Sequence, residues 1–279
     1  MLNIIQKVAF DFDDVFIVPR NTHLTSRKDV DLNCKYTTTR GVVLEGIPII
    51  AANMDTVGTL EASAALREMN CYTAIHKHYK PEELKEFYKK SDTNLSFFTF
   101  GICQIEDIKR VLEAVGFNVD DASNIEPRLN LDVANGYQQS FVRFVSKVRL
   151  AFPRAVIMAG NVVTHGGALA LLEAGADIIK VGIGPGAQCE TRKVTGVGYP
   201  QLSAIDECLA ATNTYGSGLI CSDGGCKTSG DVAKAFGAGA HFVMLGTMLA
   251  GHKENISNEE KEELRLIYLK DVCGFANIY

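Results

Sequence analysis

Cys189 stands in the stretch KVGIGPGAQCETR (180–192), behind an apolar run and glycines at 182, 184 and 186. Glycine permits positive φ and close approach of the backbone to a ligand. Loops of this composition turn several carbonyls toward a cation or several amides toward an anion. A thiolate held out on such a loop attacks electrophilic carbon, provided a neighbour takes its proton. Thr191 and Arg192 follow at once. The other reading is a glycine-rich turn with an inert thiol, and the stretch alone leaves both open. A second group lies in SDGGCKTSGDVAKAFGAGAHFVMLG (222–246). Asp223, Gly224 and Gly225 close one apolar run, and Gly246 and Thr247 close the next. Paired glycine-rich ends suit a phosphate bound by backbone amides at the start of a short extra helix, expected over 247–250. Asp223 has the wrong charge for phosphate and suits a ribose diol, whose two hydroxyls donate to a carboxylate. The plainer reading is that these glycines only permit tight turns.

Three further stretches carry weaker signals. In AANMDTVG (51–58), Met54 suits contact with a base and Asp55 a buried cap for the helix that starts near 59. In IHKHY (75–79), Lys77 suits a cofactor phosphate. His76 and His78 are two residues apart, point to opposite faces of a strand and make a poor metal pair. MAGNV (158–162) reads as turn geometry. In NLDVANGY (130–137), Asp132 ends a strand and is either catalytic or an orienting neighbour.

These loops need a frame to bring them together. Eight short apolar runs recur, at 47–52, 71–76, 96–102, 128–134, 155–160, 177–183, 218–224 and 241–246. They are nearly continuous rather than alternating, which suits parallel strands buried on both faces. Helical periodicity fills 59–69, 81–90, 105–115, 137–152, 165–175, 199–212 and 229–239, and several of these segments end in glycine. Alternation of eight strands with helices predicts a closed (β/α)₈ barrel, with an open doubly wound sheet as the other architecture. In a barrel, chemistry gathers at the C-terminal ends of the strands, where the loops above fall. The chain reads as one catalytic domain: a cap over one barrel end at 1–46, the barrel at 47–257, and an amphipathic closing helix (258–273) within a tail to 279.

The totals exclude other classes. The 279 residues are 47% hydrophobic with a formal net charge of −5, and Lys and Arg are scattered, so no nucleic-acid face is expected. No apolar run approaches the roughly 18 residues of a membrane span, and no leader pattern opens the chain. Eight cysteines without CxxC or zinc spacing predict free thiols in a reducing, cytosolic compartment.

Taken together, GIGPGAQCETRKVTGVGYPQLSAI (182–205), the 222–246 segment, IIAANMDTVGT (49–59), IHKHY and LDVANGY (131–137) resemble the inosine monophosphate dehydrogenase/GMP reductase family, in order and over nearly the whole chain to about Glu254. Within it, NLDVANGY and IHKHY are similar to the GMP reductase branch. The few residues between 90 and 96 leave no room for the CBS modules that the dehydrogenases carry there. The resemblance implies NADPH-dependent conversion of GMP to IMP and ammonia, through a covalent thioimidate on Cys189 with Thr191 as proton donor and acceptor. It implies substrate contacts at Asp223, Gly224, Gly225, Gly246, Thr247 and Met54. NADPH contacts would fall at Ser26, Arg27, Lys77, Asp132, Val133, Ala134, Ile183 and Gly184. A potassium ion would rest on the carbonyls of Gly184, Gly186, Cys189 and Arg192. A homotetramer in purine salvage is implied as well. Ala187, Glu190 and Thr247 depart from residues common in the family. The family's long flap after the eighth strand has no match in the stretch that follows 254, and three readings stay open: a deletion, a splice form, or a segment left out of the sequence. Two other readings follow: an IMP dehydrogenase lacking CBS modules, and a nucleotide-binding subunit with little turnover.

Overall fold

The structure, a computed structural model, describes residues 7–186 and 189–252, the side chain of Arg27 apart. The expected closing helix at 258–273 and the tail lie outside the described residues. Nine strands form one sheet: β1 (Cys34–Thr37), β2 (Val43–Ala51), β3 (Cys71–Ile75), β4 (Ser96–Phe100), β5 (Arg128–Asp132), β6 (Val156–Val162), β7 (Ile178–Val181), β8 (Leu219–Asp223) and β9 (Phe242–Leu245). Each strand from β2 to β8 pairs in parallel with its successor, and β2 also pairs with β9 through Ile49–Val243, Ile50–Met244 and Ala51–Leu245. That last pairing closes an eight-stranded parallel barrel. Its strands are the eight apolar runs of the sequence.

The helices α1 (Leu60–Glu68), α2 (Pro81–Tyr88), α3 (Ile105–Ala114), α4 (Gln139–Ala151), α5 (His165–Glu173), α6 (Thr191–Thr195), α7 (Gln201–Tyr215) and α8 (Ser229–Gly237) lie outside the barrel. Local chemistry fixes their starts. Thr59 caps α1 by accepting from the Ala62 amide (3.1 Å), and Pro81 opens α2, where no amide partner is needed. Thr228 and Asp231 form a reciprocal capping box at α8. Asp55, expected as the cap of α1, is exposed, and Thr59 does that work instead because it directly precedes the first helical residue.

Two elements were not foreseen. β1 is short and half polar, and it exists because it pairs antiparallel with the first half of β2 across a turn at Thr38 and Gly41. α6 buries none of its residues, so it carries no apolar stripe that a sequence pattern would show. The extra helix expected at 247–250 is a single turn, held by the Leu249 and Ala250 amides on the Gly246 carbonyl (2.9 and 3.1 Å). Among the described residues no helix is long and apolar enough to cross a membrane.

Alternation along the strands divides the core in two. One side faces the helices, with Ile49, Leu129, Ile157, Ile179 and Val243 all buried. The other fills the barrel with Ile50, Tyr72, Phe97, Met158, Ile178 and Phe242. Tyr36 of β1 covers the lower end of this interior and packs against Phe242 (ring centroids 5.2 Å apart). Toward the C-terminal ends the interior turns polar at two-residue steps: Asn130 to Asp132 on β5, Ile178 to Lys180 on β7, Cys221 to Asp223 on β8. The barrel is apolar below and charged at its mouth.

Candidate active site

The mouth holds a cleft of about 570 Å³. Its floor is the charged layer of the barrel. Lys180 is buried, and its Nζ donates to Asp132 Oδ1 at 2.8 Å and Asp223 Oδ2 at 3.0 Å. Asn53 Nδ2 donates to the other oxygen of Asp132 (2.7 Å). Asn161 Nδ2 donates to Asp223 Oδ2 and to the Gly182 carbonyl, both at 2.8 Å. Burial alone would raise the Asp132 carboxyl. The charge and hydrogen bond of Lys180, the Asn53 amide and the charge of Lys77 outweigh it and hold the group below its usual range. Burial likewise pulls on Lys180, and the charges of Asp223 and Asp132 hold its pKa above the ordinary lysine value. Both groups therefore remain ionised at neutral pH.

Above this floor lies the cysteine loop. Gly182 and Gly184 have φ of +146° and +80°. A side chain at Gly182 would collide with the Asp223 carbonyl, and one at Gly184 would meet Arg192 Cγ at 2.5 Å. Both glycines are thus required by close approach as well as by φ. Cys189 is exposed, its amide on the Gly186 carbonyl (2.9 Å), and its thiol donates to Thr191 Oγ1 at 3.1 Å. Thr191 is the first residue of α6, so the short unforeseen helix is what turns its hydroxyl to the thiol. Burial pushes the thiols of Cys208, Cys221 and Cys226 far up, and that of Cys103 to about 11.

The loop is held from outside by the N-terminal segment. Asp11 Oδ2 pairs with Arg192 Nη1 (3.0 Å), and Asp11 Oδ1 accepts from the Gln201 amide (2.5 Å). Arg192 Nη2 donates to the Tyr199 carbonyl. Phe12 is buried beside Gly225, and Lys234 Nζ donates to its carbonyl (2.8 Å). Within the barrel wall, Gln201 Nε2 bonds the Val181 carbonyl (2.8 Å) and Ser222 Oγ (3.1 Å).

The structure brings most of the candidate residues to this one cleft. Cys189, Thr191, Asp223, Gly224, Gly225, Gly246, Thr247 and Met54 line it. So do Asp132, Val133, Ala134, Ile183, Gly184 and Gly186. Gly224 and Gly225 have φ of +88° and +89°, and a side chain at Gly224 would come within 3.3 Å of the Gly186 amide nitrogen, so the two glycine loops touch. Gly246 leaves room for the Met54 sulfur, 3.0 Å from where its Cβ would stand. Four candidates do not line it: Arg192 packs over Gly184 and pairs with Asp11, and the other three lie elsewhere. Ser26 caps a 3₁₀ turn and does not line the cleft, nor does Arg27, whose side chain is outside the described residues. Lys77 lines a separate cavity of about 350 Å³ with His76 and Tyr79, whose rings stack at 4.1 Å. Lys180, Asn161, Asn53 and Asp11 received no role from the sequence. Lys180 had a visible signal, a charge in the middle of the apolar run IIKVGI.

Comparison with known proteins gives a family match and close relatives. A model of the IMP dehydrogenase / GMP reductase domain matches residues 9–277. A protein of Escherichia coli O1:K1 / APEC named GMP reductase is 46% identical over 280 residues, covering 96% of this chain and 77% of its own length. The GMP reductases of Escherichia coli O139:H28 and of strain K12 / DH10B match to the same extent.

Proposed function

The chain belongs to the IMP dehydrogenase/GMP reductase family, and we propose that it acts as a GMP reductase, converting GMP to IMP and ammonia with NADPH. The observation that carries this reading is the pairing of an exposed Cys189 thiol with the Thr191 hydroxyl at 3.1 Å, over a cleft whose floor carries Asp223.

GMP enters with its ribose diol on the Asp223 carboxylate and its phosphate against the backbone of Gly224, Gly225, Gly246 and Thr247. Met54, beside Gly246, contacts the base. This pose puts C2 of the purine over Cys189. The sulfur attacks C2, and the thiol proton passes through Thr191 to the exocyclic nitrogen, which leaves as ammonia. The product of that half is a thioimidate, carbon C2 bonded to sulfur and the ring C=N restored, with no proton gained or lost overall. Splitting the displacement in this way replaces one difficult step by two easier ones. NADPH supplies the hydride that C2 receives in the second half. Sulfur then leaves C2 as IMP forms, and the thiol regains a proton from solvent.

The residues fit both accessory groups. Asp132, Val133, Ala134, Ile183 and Gly184 line the same cleft as Cys189 and supply the contact surface for a dinucleotide beside the base. Lys77, close enough to act on Asp132 electrostatically, offers the cation that an extra phosphate requires. For the cation, the donors at Gly184, Gly186, Cys189 and Arg192 are neutral carbonyls of the cysteine loop and the first turn of α6, which suits a monovalent ion better than the carboxylate sets of divalent ones. Arg192 folds back over Gly184 and closes that loop on itself.

The test is GMP-dependent oxidation of NADPH, followed by absorbance. The wild-type chain turns over, and Cys189→Ala falls at least about a thousandfold while still binding IMP. Reduction of NAD with IMP in place of that activity would assign the chain to the dehydrogenase reaction. Nucleotide binding without turnover at high enzyme concentration would make it a binding subunit.

A further inference from the structure

Lys180 has no part in the steps above, yet it is the most deeply buried charge at the site, its side chain only 3% exposed. Burying an ammonium costs several kcal/mol unless it is well paired. Here it is paired twice, with carboxylates from the ends of two other strands, Asp132 of β5 and Asp223 of β8. Its third neighbour, Asn53 Oδ1 beyond β2, lies at 3.5 Å. Asn53 in turn donates to Asp132, and Asn161 donates to Asp223. An unbroken polar chain, Asn53–Asp132–Lys180–Asp223–Asn161, therefore crosses the barrel mouth with Lys180 at its centre. The Gly160 backbone on β6 must pack directly on that of Lys180, since a side chain at Gly160 would collide with the Lys180 carbonyl. The lysine is fixed at its root as well as at its tip.

We propose that Lys180 is a positioning residue that couples the two halves of the site, its ammonium being the shared counter-charge of the cofactor-side Asp132 and the ribose-side Asp223. This rests on the assignment of those two carboxylates made above. Lysine suits the task, because a point charge on a flexible stem divides between two acceptors where the planar fork of arginine favours one. A shared charge has a consequence that separate ion pairs lack. Neutralising one carboxylate gives the whole ammonium to the other, so a change on the cofactor side alters binding on the ribose side.

The experiment is calorimetric titration with IMP and, separately, NADP⁺, on the full chain and on Lys180→Met, Asp132→Asn and the double variant. Lys180→Met is expected to weaken both ligands by about tenfold or more. Asp132→Asn is expected to shift the affinity for IMP by about threefold while Lys180 is present, and to leave it unshifted in the Lys180→Met background. A lysine that merely filled the barrel would give no such dependence. Loss of affinity for one ligand alone, for neither, or a cross-effect that survives without Lys180 overturns the proposal. Should Lys180→Met not melt as a folded protein, the double variant, which removes one carboxylate along with the cation, takes its place. IMP bound at least about threefold more weakly than by Asp132→Asn supports the bridge, and equal binding overturns it. A wild-type chain that binds neither IMP nor NADP⁺ overturns the functional reading and the proposal with it, whereas intact wild-type binding with unchanged variants overturns the proposal alone.

Discussion

Replacing Asp11 by alanine should loosen the cysteine loop from 181 residues away along the chain. Asp11 does two things. Its Oδ2 pairs with Arg192 at 3.0 Å, with both side chains about a third exposed (36%), so solvent screens the pair. Such a pair contributes about 0.5 kcal/mol. Its Oδ1 accepts the Gln201 amide at 2.5 Å, the first amide of α7, and so serves as a helix cap delivered from a distant segment. A cap of this kind contributes about 1 kcal/mol. The alanine variant should therefore lose about 1.5 kcal/mol, which for a chain of this size lowers Tm by roughly 3–6 °C. Asp11→Asn keeps an oxygen for the Gln201 amide and gives up the charge, so its Tm should fall by only about 1–2 °C. The catalytic effect runs through Arg192, which packs over Gly184 and Gly198. Freed of Asp11, it holds the loop less firmly, and kcat for NADPH oxidation should fall by roughly threefold to tenfold in the alanine variant. Thermal melting followed by circular dichroism and the absorbance assay read the two effects. An asparagine variant that melts as low as alanine would refute the capping argument. Unchanged kcat in both would refute the claim that this contact positions the loop.

Two further outcomes follow from the same geometry. Gly182→Ala should cost ~3 kcal/mol and remove nucleotide binding, because its φ of +146° is strained for alanine and its methyl would push Asp223 out of place; a variant that melts and binds like the wild type would show that the Asp223 backbone yields. For pH, burial holds the pKa of His241 below its ordinary 6.5, and its Nδ1 must stay unprotonated to accept from the Ile220 amide (3.1 Å). The unfolded chain thus binds a proton that the folded chain refuses, so stability is full above pH 6.5 and falls as pH drops through that value toward the folded pKa. The urea midpoint should be lower at about pH 5.5 than at about pH 7.5, with a smaller difference in His241→Gln, and an equal or higher midpoint at the acid pH would contradict this.

The barrel was legible in the sequence because a strand buried on both faces must be apolar throughout, and runs such as IPIIAA and AVIMAG leave little else to be. The cysteine loop was legible too, since three glycines before a cysteine leave a mark in the composition. β1 and α6 were not, because neither carries an apolar pattern: one is held by pairing with β2, the other by the loop it ends. The role of Asp55 was misread because an aspartate near a helix start and a threonine directly before it look alike until the backbone decides which oxygen faces the amides.

The sequence by itself determined which residues would be buried and which strand ends would carry glycines and polar groups, because those follow from local periodicity and from the φ angles that only glycine accepts readily. Only the tertiary structure decided that Asn53, Asp132, Lys180 and Asp223, drawn from β5, β7, β8 and the residues beyond β2, share one ammonium, and that Asp11 reaches Arg192. The physical reason is closure. Pairing β9 with β2 brings strand ends far apart in the chain to within hydrogen-bonding distance, and the alternation of side chains then selects which of them point inward.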